Sequence, residues 1–143
     1  MGFFYLCRLG EVSAPSLPQS ESAPFRLCDV EFVVDSGHVT ADTTPIHLID
    51  YAHGVRLLFT TQKNGTAGEK IAHGCTGDHL LCPTRAIARL AKHLRQLQAP
   101  RTTPLHCTDP VTCLSVHARH ITAALRHEAR LAHPTTGINP NKL

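Results

Sequence analysis

The chain contains no tryptophan, a single methionine, and only five phenylalanines and two tyrosines in 143 residues. This scarcity of aromatic faces argues against a platform on which successive single-stranded bases stack. Six cysteines are present, yet none forms a C-x-x-C pair. With no secretory leader to place them in an oxidising compartment, they read as reduced, partly buried small hydrophobes. No apolar run reaches the length that crosses a bilayer. Residues 1–7 are apolar but too short for a signal core and lack a basic flank, and Leu6 stands where a myristoylation signal wants serine or threonine. A soluble, intracellular protein without a membrane partner is expected.

At 42% hydrophobic and 17% charged residues, the composition is that of a folded domain and not of a disordered tail. The length suits one domain with one core. The net charge of +3 conceals an asymmetry. Residues 1–83 carry 5 Lys/Arg against 9 Asp/Glu, a balance of −4, and residues 84–143 carry 9 against 2, a balance of +7. A basic half of this kind is the footprint of a polyanion-binding surface, or of a solvated pair of helices.

The hydrophobic pattern changes period along the chain. Residues 2–12 are apolar nearly all round, as in the end of a buried helix, and three prolines and four serines make residues 13–24 a loop. Alternation over residues 25–34 puts Cys28, Val30, Phe32 and Val34 on one face of a strand. Asp35-Ser36-Gly37 turns the chain, and residues 46–49 suggest a short second strand. Residues 55–62 alternate again, with Val55, Leu57 and Phe59 on one side, and Asn64-Gly65 marks a turn before an antiparallel return over residues 69–73.

Pro83 starts a helix over residues 83–98 whose stripe is Ile87, Leu90, Ala91, Leu94 and Leu97. Arg85, Arg89, Lys92 and Arg95 lie off that stripe. Residues 100–110 read as loop with a short extended piece at residues 105–107. Ser115 is placed to cap a second helix, from residue 116 to about residue 132, with Ile121, Leu125 and Leu131 as core candidates. The expectation is an α+β fold: a small antiparallel sheet followed by two main amphipathic helices over residues 1–132, then an unstructured tail at residues 133–143.

Two charged features invite a chemical reading. Arg8 and Glu11 form an R-x-x-E pair at the end of the apolar turn Phe3-Phe4-Tyr5-Leu6-Cys7, and Gln62-Lys63-Asn64-Gly65 delivers one lysine to a turn. Arginine offers a planar fork for two phosphate oxygens, and lysine offers a mobile charge and proton donor. The bland readings are an i,i+3 helix pair and a solvated turn residue.

In order and separation, with the strand pattern between them, these motifs resemble the first half of the catalytic domain of tyrosine recombinases, the phage-integrase family, and are most similar to integrase-like domains of eukaryotic mobile elements. The resemblance covers roughly residues 2–132. It implies that Arg8 is the first phosphate-clamping arginine, Glu11 its supporting partner, and Lys63 the hairpin lysine, with Lys70 its competitor. It also implies a function in DNA recombination and integration, with duplex DNA and other recombinase protomers as partners and a nuclear location in a eukaryotic host.

Family chemistry is attack of a tyrosine on a phosphodiester, assisted by two arginines, a lysine and His/Trp groups, with no cofactor and no metal. The pattern departs from the family in its second half. His127-Glu128-Ala129-Arg130 is the only literal H-x-x-R and lies inside a basic helix. Tyr5 and Tyr51 precede most of the domain and cannot fill the nucleophile's place. The expectation is a truncated, catalytically incomplete DNA-binding fragment, with Arg85, Arg89, Lys92 and Arg126 as its DNA-contacting cations. The alternatives are a small zinc module built from His73, Cys75, His79 and Cys82, and a basic DNA-binding domain without chemistry.

Overall fold

A computed structural model of the chain describes residues 23–60, 68–78, 81–112, 114–117, 119–124 and 126–127. Alternation builds its sheet. In β1 (Val30–Val34) the side chains of Val30, Phe32 and Val34 are buried, with Glu31 and Val33 on the other face. β2 (Gly37–Thr40) folds back on β1 antiparallel, Val34 opposite Gly37. Gly37 has a φ of 119°, which glycine adopts without the penalty a Cβ would bring, so the hairpin closes over two residues.

On the other side of β1 lies β3 (Gly54–Leu58), with Phe32 opposite Val55, and β4 (Lys70–Gly74) completes the sheet with Ile71 opposite Leu57. The order is β2-β1-β3-β4, antiparallel throughout. The two faces have different tasks. Val30, Phe32, Val55 and Leu57 share a core with Ile87, Ala91 and Leu94 of the long helix. On the other face the Lys70 ammonium donates to both Glu31 carboxylate oxygens, at 2.8 and 3.0 Å.

Three expectations are corrected by where backbone hydrogen bonds go. The strand expected from residue 25 begins at Val30, because residues Leu27–Asp29 form a 3-10 turn. There the Leu27 and Cys28 N–H groups donate to the carbonyls of Thr103 and Arg101. Residues 46–49, expected as a strand, form the helical turn α1 (Ile46–Ile49). Pro45 is its N-cap, with φ −51° and an extended ψ of 132°, and the Leu48 N–H donates to the Pro45 carbonyl. The true partner of β1, β2, escaped notice because only Val39 in it is apolar.

Ser115 does not cap a helix. It belongs to β6 (Leu114–Ser115), which pairs with β5 (Cys107–Asp109), and Ser115 stands opposite Cys107. The Val116 N–H donates to the His106 carbonyl, and the first helical residue after it among the described ones is Arg119. The His117 carbonyl accepts the N–H groups of His120 and Ile121. Ile121 is half-buried and not a core residue.

The long helix α2 (Pro83–Gln96) buries Ile87, Ala91 and Leu94 of its predicted stripe, leaves Leu90 half-buried, and buries Ala88 as well. Its end is a Schellman closure. Gln98 adopts φ 54°, its N–H donates to the Arg95 carbonyl, and the Ala99 N–H donates to the Leu94 carbonyl. Those two bonds satisfy carbonyls that a helix end leaves without partners. Leu97, predicted for the stripe, falls at this cap and is 39% exposed.

The α+β class therefore stands as expected, with α2 as its principal helix. No helix of the described residues is long and apolar enough to cross a membrane. The predicted buried helix at residues 2–12 and the tail at residues 133–143 lie outside the described residues.

Candidate nucleic-acid interface

Residues four and three apart on a helix stand on one face, and Arg85, Arg89 and Lys92 follow that spacing along α2. The structure brings these three predicted cations together at one cleft of about 330 Å³, lined also by Asp50, Cys75 and Thr84. Two contacts fix its walls. The Thr84 hydroxyl donates to the His73 carbonyl at 3.4 Å, pinning the start of α2 to β4. The Cys75 N–H donates to the His53 carbonyl at 2.8 Å, pinning the opposite wall to the start of β3.

The cations are not equivalent. Arg85 and Arg89 are exposed. Lys92 is half-buried and gives its ammonium to the Asp50 carboxylate at 2.5 Å. Arg95, the fourth basic residue of the helix, points into the fold and donates to the carbonyls of Ala41 and Thr44. It is therefore a brace between α2 and the segment after β2. Arg126 is exposed but does not line the cleft.

Arg8, Glu11 and Lys63 lie outside the described residues. β3 and β4 pair up to Leu58 opposite Lys70, and the Phe59 and Gly68 N–H groups extend the ladder by donating to the carbonyls of Glu69 and Phe59. β3 and β4 are thus adjacent antiparallel strands, as the predicted hairpin requires. Lys70, the competitor of Lys63, is engaged with Glu31 on the outer face of the sheet.

The R-x-x-[DE] spacing occurs a second time, at Arg26 and Asp29, and there the geometry is explicit. Asp29 is 3% exposed. Its carboxylate accepts the Arg26 backbone N–H at 2.9 Å and the guanidinium at 2.9 and 3.0 Å. Hydrogen bonding to Asp29, and then its negative charge, raises the Arg26 pKa further above its already high ordinary value. The two-pronged grip is the strong arginine–carboxylate form. Sequence reading passed over this pair, although its spacing equals that of Arg8 and Glu11. Here the pair closes a 3-10 turn, so R-x-x-[DE] spacing alone does not mark a phosphate site.

A second cavity, of about 260 Å³, is lined by His106, Cys107, Ser115 and three prolines. Both ring nitrogens of His106 are buried without a hydrogen-bond partner among the described residues. Burial pushes the His106 pKa below its ordinary value, and the charge of His117 acts in the same direction. The folded chain therefore binds this proton more weakly than the unfolded chain does. Stability from this group is complete above the unfolded histidine value of about 6.5, and it declines as pH falls below that value toward the lower folded one. Urea midpoints should drop between about pH 7.5 and about pH 5.5, and the drop should be smaller in His106→Gln. An equal drop in both proteins would remove His106 as a cause.

Of the four zinc candidates, His79 lies outside the described residues. Among the described residues, no group of three or more His, Cys, Asp or Glu side chains is arranged to hold a metal ion. Burial raises the Cys75 pKa, whereas for Cys82 burial pushes the thiol up but the backbone N–H groups of Arg85 and Thr76 outweigh it and leave its pKa lowered. Searches against family models, curated proteins and solved structures found no match to the chain.

Proposed function

We propose that this chain is a DNA-binding domain corresponding to the first half of a tyrosine-recombinase catalytic domain, of the kind used in DNA recombination and integration by mobile elements. It would act on duplex DNA, in the nucleus of a eukaryotic host, beside other recombinase protomers. One observation carries the DNA-binding part: three cations singled out from sequence converge on one cleft of α2, in the half of the chain with a balance of +7.

Phosphate oxygens are the partner that best fits such a surface, because guanidinium groups donate to them in a planar fork without reading base sequence. Arg85 and Arg89 would be the main contacts. Lys92, half-buried where the two arginines are exposed, would contribute less. In the recombinase reading, Lys63 reaches the same DNA from the β3–β4 connection, and Arg8 and Glu11 form the first clamp.

The test is fluorescence anisotropy with a labelled duplex at two salt concentrations. Weak binding with little sequence preference is expected. Its logarithmic affinity should fall with log salt at about 0.9 per phosphate contacted. Absence of binding at low salt, or affinity indifferent to salt, would overturn the proposal.

A further inference from the structure

We propose that Asp50 sets the affinity of the α2 cleft for DNA by holding the Lys92 ammonium until a backbone phosphate takes it in exchange. The inference rests on the DNA-binding reading above and names the residue that regulates that site. In the free chain the Lys92 ammonium donates to one carboxylate oxygen of Asp50 at 2.5 Å. The two residues are 42 positions apart in sequence. Both line the cleft that also holds Arg85 and Arg89, so their pairing takes place inside the candidate site.

Packing brings the two charges together. Asp50 is the C-cap residue of α1, and its N–H donates to the His47 carbonyl. The residue before it, Ile49, is 1% exposed and shares the core with Ala88 and Ala91 of α2. Lys92 directly follows Ala91. Each partner is thus anchored by a buried neighbour in the chain. Ile49 and Ala88 also line the cleft, and charges beside an apolar wall act on one another more strongly than in open water.

Exposure separates their roles. The Asp50 side chain is 55% exposed and that of Lys92 28%. A carboxylate this open returns to water at little cost, while the ammonium stays within the cleft. Carboxylate and phosphate both present negatively charged acceptor oxygens and compete for the same N–H donors. Two anions sharing one ammonium also repel each other, so phosphate enters by exchange. One ion pair breaks, one forms, and the released carboxylate is solvated. Asp50 thereby subtracts from the affinity that the cations of the cleft would otherwise give.

Duplex anisotropy on full-length variants tests the exchange, with asparagine keeping the shape of aspartate and removing its charge. Asp50→Asn should bind about tenfold more tightly, the worth of one charge-assisted contact. Its log affinity should fall more steeply with log salt, by up to about 0.9, because Lys92 then neutralises a phosphate without uncovering a carboxylate. In Asp50→Asn/Lys92→Ala the gain should vanish. Asp50→Asn/Arg101→Ala has the same net charge but removes a cation that does not line the cleft, and there the gain should persist. A partly exposed ion pair adds little to stability, so urea midpoints of these proteins should lie close together.

Unchanged or weaker binding by Asp50→Asn would overturn the proposal, since Asp50 would then position Lys92 instead of competing for it. So would a gain that survives undiminished in Asp50→Asn/Lys92→Ala, or one that Arg101→Ala erases equally. With wild-type binding intact, those results leave the DNA-binding reading standing. A wild type that binds no duplex at low salt overturns both.

Discussion

Phe32→Ala is expected to destabilise the fold by about 3–5 kcal/mol, the range for deleting a buried phenyl ring from a well-packed core. Phe32 is completely buried, sits on β1 with strands paired on both sides, and belongs to the same cluster as Ile87, Ala91 and Leu94 of α2. The transfer energy of the deleted ring and the residual cavity add, and neighbouring strands limit collapse into the void. A domain this size has a total stability on the order of 5–15 kcal/mol, so the variant should be partly unfolded at ambient temperature. Urea unfolding followed by circular dichroism measures it. Val33→Ala, one residue along on the half-buried opposite face, should cost much less. Equal costs for the two would mean that the outer face is as tightly packed as the inner one.

Reversing Arg85 and Arg89 together to glutamate should lower duplex affinity roughly 100-fold, since each of the two guanidinium–phosphate interactions is worth on the order of 1.4 kcal/mol. The dependence of log affinity on log salt should become shallower by about 2, close to 0.9 for each phosphate no longer neutralised. Both side chains are exposed, and surface changes of this kind usually move stability by no more than about 0.5 kcal/mol. Binding and folding can therefore be separated. Arg101→Glu is the comparison. Arg101 does not line the cleft and is paired with Asp42 at 3.2 Å, yet its reversal changes net charge as much as Arg89→Glu alone. If Arg101→Glu weakens binding as much as Arg89→Glu, overall charge matters and the α2 cleft does not.

How far the sequence could be read depended on the range of the interactions involved. β1, β3 and α2 declare themselves because burial on one face imposes a period, and Val30, Phe32, Val55, Leu57, Ile87 and Leu94 carry it. α1 reads as a strand because two isoleucines and a leucine suit one, while the bond that makes it a helical turn is local, from the Leu48 N–H to the Pro45 carbonyl. Ser115 is a good cap by residue type, yet its segment pairs with Cys107 across a turn. The basic face of α2 was legible through its spacing. Its role as one wall of a cleft was not, since Asp50 and Cys75 come from distant parts of the chain. The Thr84–His73 hydrogen bond depends on helix α2 docking against β4, and no local pattern encodes that.

The hydrogen bonds joining Leu27 to Thr103 and Cys28 to Arg101 have a consequence for how the protein is made. Leu27 and Thr103 are 76 positions apart (103 − 27). Phe25 and Leu105 are further apart still, and the Leu105 N–H donates to the Phe25 carbonyl at 2.7 Å. During synthesis the first of these residues must wait for the last to emerge, which takes several seconds at about 5–20 residues per second. The β1–β2 hairpin can form during that interval, because its partners are close in sequence. The ends of the described core can join only afterwards, and long-range closure of this kind slows folding. Until then Phe25 and Leu27 are exposed, and a nascent chain paused before Leu105 would be the form most prone to associate with its own copies.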